Sequence, residues 1–112
     1  MAPSGYPRPM EIHGTANDGT ARLELRGELD IGTAPVLEDA VDRALEDGCR
    51  EVVLDLGPTT LLDSSGLGAL IRAARTVGDR HGTMAVVSPP GSEARLVIEM
   101  SRTGSIVGLR DD

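Results

Sequence analysis

The sequence lacks several residue types, and each absence narrows what the protein can be. Tryptophan and phenylalanine are missing and Tyr6 is the single tyrosine, so the core must be built from aliphatic side chains. Lysine is also missing, which excludes the phosphate-binding loop that requires a Gly-Lys-Ser or Gly-Lys-Thr sequence. The single cysteine, Cys49, excludes an internal disulfide and is typical of a reducing compartment.

Long apolar runs are missing as well, and no stretch is long enough to span a bilayer. Residues 1–9 lack the apolar centre of a secretory signal peptide. The formal net charge of −7 comes without a basic patch, which argues against direct nucleic-acid binding. We therefore expect a cytoplasmic protein with no membrane partner and no nucleic-acid partner.

The chain of 112 residues is long enough for one domain with a single core. Residues 1–10 contain several prolines and are predicted to form a flexible N-terminal tail, and residues 11–110 are predicted to form the domain. Asn17-Asp18-Gly19 is a strong hairpin-turn signal between an edge strand over residues 12–16 and an alternating strand over residues 20–26.

Strand and helix patterns alternate after the hairpin. Thr33 is the predicted N-cap of a first helix, Pro35 is tolerated in its first turn, and Gly48 ends it. The continuous apolar centre of residues 51–56 predicts an interior strand that is covered on both faces. Because strand–helix–strand steps favour right-handed parallel crossovers, we predict an α/β fold with a mixed, mostly parallel sheet and an antiparallel edge hairpin.

The second half continues the same alternation. Gly82 is predicted to end a second helix, a buried strand follows over residues 84–87, Ser92 caps a third helix that runs to about Ser101, and a last strand covers residues 106–109. The predicted apolar stripe of the second helix consists of Leu67, Leu70, Ile71, Ala74, Val77 and Gly78.

The start of that second helix is the most informative stretch of the chain. Asp63 is a natural N-cap, which places Ser64 and Ser65 at the positive end of the helix dipole, where an anion is favoured. Gly66 and Gly68 are unusual, because each glycine in a helix costs roughly 1 kcal/mol relative to alanine. We infer that a neighbouring strand, a phosphate or a partner protein closely approaches this backbone.

The sequence around Ser64 and Ser65 does not match the enzyme motifs that we compared with it. A nucleophile elbow requires glycine two residues before the serine, and Leu62 and Asp63 occupy those positions. A dinucleotide-binding fingerprint fails because Ile71 stands where its third glycine should be. His13 and His81 have no cysteine or histidine at metal-ligand spacing, and neither is placed to activate a serine. The sequence therefore predicts no enzyme, no metal site and no cofactor.

A serine between a carboxylate and glycines at a helix N-terminus is better suited to being phosphorylated than to catalysis, because free amides and the dipole stabilise a phosphate there. Each residue also has a purely structural explanation. Asp63 can be only a cap, Ser64 and Ser65 only ordinary first-turn residues, and Asp30 only a loop carboxylate.

The run from Asp63 to Gly68 resembles the signature of the STAS domain, and specifically that of bacterial anti-sigma factor antagonists. The resemblance covers about residues 12–110. It also includes Gly27-Glu28-Leu29-Asp30 followed by Thr33-Ala34, the Val-Val-Leu strand, and Arg95-Leu96 ahead of Met100-Ser101.

The resemblance implies a superhelix of strand–helix units and a partner-switching function. A member of this family binds an anti-sigma factor, which is also an ATP-dependent serine kinase, and thereby releases a sigma factor. The kinase inactivates the antagonist by phosphorylating the serine after the motif's aspartate, here Ser64, and a serine phosphatase reverses the reaction. The partner-binding residues implied in this chain are Asp30, Asp63, Ser64, Ser65, Gly66 and Leu67.

Two other functions remain open. A STAS scaffold or transport-complex subunit would use the same surface to hold an assembly without kinase control. An enzyme would have to use Ser64 or Ser65 as a nucleophile, although the sequence offers no well-placed base to activate it.

Overall fold

The computed structural model describes residues 10–111, and these form a single mixed sheet with helices on its connections. Residues 1–9 of the predicted tail lie outside the described part, but Met10, which we also assigned to the tail, is buried in the core with 3% of its surface exposed. The elements are β1 Glu11–Asn17, β2 Thr20–Leu29, α1 Ala34–Glu46, β3 Glu51–Asp55, β4 Thr59–Leu62, α2 Ser64–Asp79, β5 Thr83–Val87, α3 Glu93–Met100, α4 Gly104–Val107 and β6 Leu109–Arg110.

The sheet has the order β1-β2-β3-β5-β6, and β4 pairs with β2. Among the strand pairs of residues 10–111, the β1–β2 pair is antiparallel, whereas the β2–β3, β2–β4, β3–β5 and β5–β6 pairs are parallel. The predicted α/β class, the mostly parallel sheet and the antiparallel hairpin at its edge are therefore confirmed. The hairpin turn has positive φ at both Asp18 (52°) and Gly19 (81°), which is the backbone that a two-residue turn requires.

Strand β2 is longer than its alternating pattern predicted. It was expected to end at Arg26, but it continues through Gly27 (φ 114°) to Leu29, with a shift of register between Gly27 and Glu28. This extension pairs with β4, a short strand that was not predicted, and brings Leu29 opposite Leu62. The extra pairing places the chain just before α2 directly beside the end of β2.

The core lies on the face of the sheet that α1 and α2 cover. Val52 and Leu54 of β3 point into it and are fully buried. The prediction that β3 is an interior strand covered on both faces is confirmed. Val53 is buried on the opposite face, where the neighbouring side chains of Arg22 and Asp55 form an ion pair with an N–O distance of 2.9 Å.

Two predicted details of α2 need correction. Its buried positions include Ala69 and Ala73, which were not in the predicted stripe, and Gly78 is exposed. His81, and not Gly82, has the left-handed conformation after the helix (φ 62°). Gly82 is required for another reason, since a Cβ there would lie 2.5 Å from the carbonyl oxygen of Arg50.

The C-terminal region differs from the prediction more strongly. The segment predicted as a strand over residues 106–109 is divided between α4, which ends at Val107, and the two-residue strand β6. Gly108 separates them with φ 77°, and a Cβ there would clash with the carbonyl oxygen of Met84. The third helix agrees with the prediction, because the Ser92 hydroxyl accepts a hydrogen bond from the Arg95 amide at 3.2 Å.

Candidate phosphorylation and partner-binding site

The N-terminus of α2 has the cap that its sequence predicts. Asp63 is extended (φ −99°, ψ −176°), and its carboxylate accepts a hydrogen bond from the Gly66 amide at 2.8 Å. Ser64 is the first helical residue and is exposed, whereas Ser65 is only partly exposed. Of the two serines, Ser64 is therefore the more accessible to another protein.

The first turn of α2 keeps backbone donors available for an anion. The Leu67 amide donates to the Asp63 carbonyl at 2.9 Å, and the Gly66 amide donates to the Asp63 side chain. The amides of Ser64 and Ser65 precede the first intrahelical hydrogen bond and have no acceptor within the helix. A phosphate on Ser64 would lie near these donors and the positive end of the dipole.

Gly66 is required by packing within the domain. It is buried, and a Cβ at this position would clash with the carbonyl oxygen of Leu29 and lie 2.9 Å from a methyl carbon of Leu62. The close approach inferred from the sequence is therefore that of a neighbouring strand. This placement gives Gly66 a role in packing within the domain, and its contact with a partner stays a prediction.

Gly68 has a different environment. The nearest atom to a Cβ there would be Nη1 of Arg72 at 3.3 Å, which is the end of a flexible side chain. Apart from its chain neighbours and the backbone of its own helix, no other atom of the described residues lies within 4 Å of that Cβ position, so packing against the rest of the domain does not require a glycine. Leu67 lies between the two glycines and is partly buried against the core, which leaves only part of its side chain for a partner.

Asp30 lies at the same edge of the sheet as Asp63. Leu29 and Leu62 are paired in register, so the two aspartates are the next residues of adjacent parallel strands. The two residues are far apart in sequence, so local patterns do not predict that they lie close together. The family resemblance did predict that Asp30 lies beside the serine of the motif.

The Asp30 carboxylate also organises its own loop. Its Oδ1 accepts hydrogen bonds from the amides of Gly32 (2.9 Å) and Thr33 (3.0 Å). Thr33 is the N-cap residue of α1, as predicted, but its side chain accepts no capping hydrogen bond from the helix. The Thr33 hydroxyl donates instead to the carbonyl of Glu28 at 2.7 Å. The Asp30 carboxylate thus stabilises its own loop. A contact with a partner would be additional to these hydrogen bonds.

Charge and exposed apolar surface occur together around Ser64. Within residues 10–111, neither Asp30 nor Asp63 forms an ion pair with a basic side chain. Ile31, next to Asp30, is 78% exposed, and Leu61 on β4 is 40% exposed. The sequence-based prediction missed both apolar residues. We call Asp30, Ile31, Leu61, Asp63 and Ser64 the switch surface.

The described residues 10–111 contain no group of three or more His, Cys, Asp or Glu side chains arranged to hold a metal ion. Over the same residues, no helix combines the length and the apolarity that crossing a membrane requires.

Comparisons with known proteins agree with this geometry. A family model described as "Mlab, STAS domain" matches residues 12–108. The anti-sigma-B factor antagonist of Staphylococcus aureus is 28% identical over 102 residues, which are 91% of this chain and 88% of that protein. The anti-sigma F factor antagonist of Paenibacillus polymyxa is 29% identical over 106 residues, which are 92% of this chain and 88% of that protein.

A solved structure gives the same result for the fold. The crystal structure of an anti-sigma factor antagonist from Mycobacterium paratuberculosis matches with a TM-score of 0.77 and 26% identity, covering 92% of this chain and 86% of that one. Since the family model spans most of the sequence, this chain belongs to the STAS domain family.

Proposed function

We propose that this protein is a cytoplasmic anti-sigma factor antagonist that is switched off by phosphorylation of Ser64. When unphosphorylated, it binds an anti-sigma factor that is also a serine kinase, and a sigma factor is released. A serine phosphatase restores the active form. The relatives named as anti-sigma factor antagonists support the general role, and the exposed Ser64 directly after the Asp63 cap is the observation that carries the switch.

The switch surface is suited to binding a partner only while Ser64 carries no phosphate. A phosphate adds about −1.5 to −2 charge at neutral pH, beside two carboxylates that have no basic partner in residues 10–111. A partner that packs on Ile31 and Leu61 would have to remove water from that charge, which is costly without a matching cation. A loss of about 3 kcal/mol weakens an affinity more than a hundredfold.

Within the domain the same phosphate has little effect. Ser64 is exposed, and the amides of Ser64 and Ser65 are available to the phosphate. We therefore expect the phosphorylated protein to melt at about the same temperature as the unmodified protein. A large fall in the melting temperature would show that the switch acts by local unfolding, which contradicts the electrostatic explanation.

The test uses candidate anti-sigma factor kinases, ATP, mass spectrometry and calorimetry. We expect phosphate on Ser64 and at least a hundredfold loss of affinity for the kinase. Ser64→Ala should keep binding but accept no phosphate, while the neighbouring control Ser65→Ala should still be phosphorylated on Ser64. Phosphate on Ser65 alone would refute the site, and a stable complex indifferent to ATP would indicate a STAS scaffold instead.

A further inference from the structure

Within residues 10–111, the outer edge of β1 is not paired with another strand. This strand is at one end of the sheet, and in the described part of the chain no strand pairs with its outer side. Its residues are exposed except for Ile12, which is partly buried. Proteins usually protect such an edge with lysine, proline, a bulge or a covering segment. Strand β1 contains neither lysine nor proline, and its seven residues pair with β2 in unbroken register.

The hairpin turn determines which backbone groups face outward from this edge. Asn17 and Thr20 flank the two-residue turn and form its closing hydrogen-bonded pair. Hydrogen-bonded and non-hydrogen-bonded pairs alternate along an antiparallel ladder. Ile12, Gly14 and Ala16 are therefore the residues whose N–H and C=O groups point away from β2.

We propose that β1 pairs with β1 of a second copy of this chain, antiparallel and with Gly14 of the two copies facing each other across a two-fold axis. In this register Ile12 lies opposite Ala16 of the second copy. All three outward-facing residues then find partners, which gives about six hydrogen bonds across the interface. The result is one continuous sheet through both copies.

The charges of the strand favour this register over its neighbours. It places Glu11 opposite Asn17 of the second copy and His13 opposite Thr15, so no like charges face each other directly. A shift by two residues in one direction would place the two His13 side chains together. A shift in either direction would also leave some outward backbone groups unpaired. Among the registers within β1, the one centred on Gly14 thus pairs the most outward-facing backbone groups.

The face of β1 that lies under α1 has room for the second copy. Ile12, Gly14 and Ala16 are on this face because they pair with core residues of β2. A groove of about 490 Å³ lies between β1 and α1, and its lining includes Ile12, Ala16 and Val36. The side chain of Val36 is 40% exposed. In the proposed pairing Ile12 of the second copy comes to lie beside Ala16, where it covers apolar surface of this groove.

The dimer should be weak and concentration-dependent. A stable interface buries about 1,200–2,000 Å² in total, and a single seven-residue strand pair lies at or below that range. Each copy also carries a formal net charge of −7. Salt screens this repulsion, so association should strengthen at higher ionic strength. None of the residues of the switch surface lies on β1, so none of them takes part in the proposed strand pairing.

Sedimentation velocity over a range of protein concentrations tests the proposal. We expect a monomer–dimer equilibrium in the wild type and at least a tenfold higher dissociation constant for Ala16→Lys, because its ammonium group would be placed against Ile12 of the second copy. Thr15→Lys is the matched control. It adds the same charge one residue away, but on the opposite face of the sheet, and it should change the dissociation constant much less.

The register is tested by disulfide trapping in a Cys49→Ala background. Cα atoms of a facing hydrogen-bonded pair are about 5.5 Å apart, within disulfide range, so Gly14→Cys should cross-link under mild oxidation. Ile12→Cys should not, because its two copies would be more than about 13 Å apart.

A wild type that stays monomeric at all concentrations, equal effects of the two lysine variants, or cross-linking through residue 12 would each overturn the proposal. Dimers that form only after removal of residues 1–9 would overturn it as well, since the chain's own N-terminal segment would then occupy the edge.

Discussion

Two glycines in the first turns of α2 should respond oppositely to the same substitution. In Gly66→Ala the added Cβ would lie 2.8 Å from the carbonyl carbon of Leu29 and nearer still to its oxygen, whereas ordinary contacts are 3.4–4 Å. Forced overpacking typically costs about 1–3 kcal/mol, and the rigid strand backbone favours the upper end. The higher helix propensity of alanine offsets about 1 kcal/mol of this loss in the free energy of unfolding.

The net expected loss for Gly66→Ala is about 2 kcal/mol of the free energy of unfolding. At about 2.1 cal/mol/K of unfolding entropy per residue, that loss lowers the melting temperature of a chain of 112 residues by roughly 9 °C. In Gly68→Ala the new Cβ meets only the end of the Arg72 side chain. The same propensity gain should therefore appear almost in full, as about 0.5–1 kcal/mol of added stability.

Urea unfolding of the two variants and the wild type measures these differences directly. We also expect Gly68→Ala to bind the kinase less tightly despite its greater stability, because a glycine that no internal contact requires leaves room for a partner to approach. Equal stability of Gly66→Ala and wild type would refute the packing explanation. Unchanged affinity of Gly68→Ala would refute the partner explanation.

Two further predictions concern the aspartates of the switch surface. Asp63→Ala should lose about 1 kcal/mol of stability while Asp63→Asn loses little, because asparagine retains the cap acceptor; equal losses in urea unfolding would contradict this. Asp30→Asn should keep the loop, since its Oδ1 can still accept from the amides of Gly32 and Thr33, yet should weaken kinase binding measured by calorimetry. The charge-matched control is Asp42→Asn on the exposed side of α1, and an Asp30→Asn affinity equal to that of this control would exclude a role for the charge.

The sequence was sufficient to predict those features that depend only on residues adjacent in the chain. The Asn17-Asp18-Gly19 turn supplies its own positive φ angles, and Asp63 and Ser92 each cap a helix through an amide three residues later. Such features depend on a few adjacent residues, so their residue types determine them.

The errors occur where distant segments decide the conformation. Strand β4 has only four residues and no alternating burial, and it exists because β2 continues beyond Gly27 to pair with it. Ile106 and Val107 have β-branched side chains that favour a strand, yet they lie in α4, where Val107 is fully buried in the core. Tertiary packing overrides local propensity in both cases.

The helical repeat places the residues of the motif after Asp63 on two different sides of α2. Gly66 and Leu70 face the sheet, while Ser64 and Gly68 are one turn apart on a different side of α2. Neighbours at this spacing have Cβ positions about 5–6 Å apart. A partner group that approaches Gly68 closely would therefore lie next to a phosphate on Ser64. Under the proposed function, phosphorylation of Ser64 would thus block the interface while Gly66 continues to hold the helix against β2.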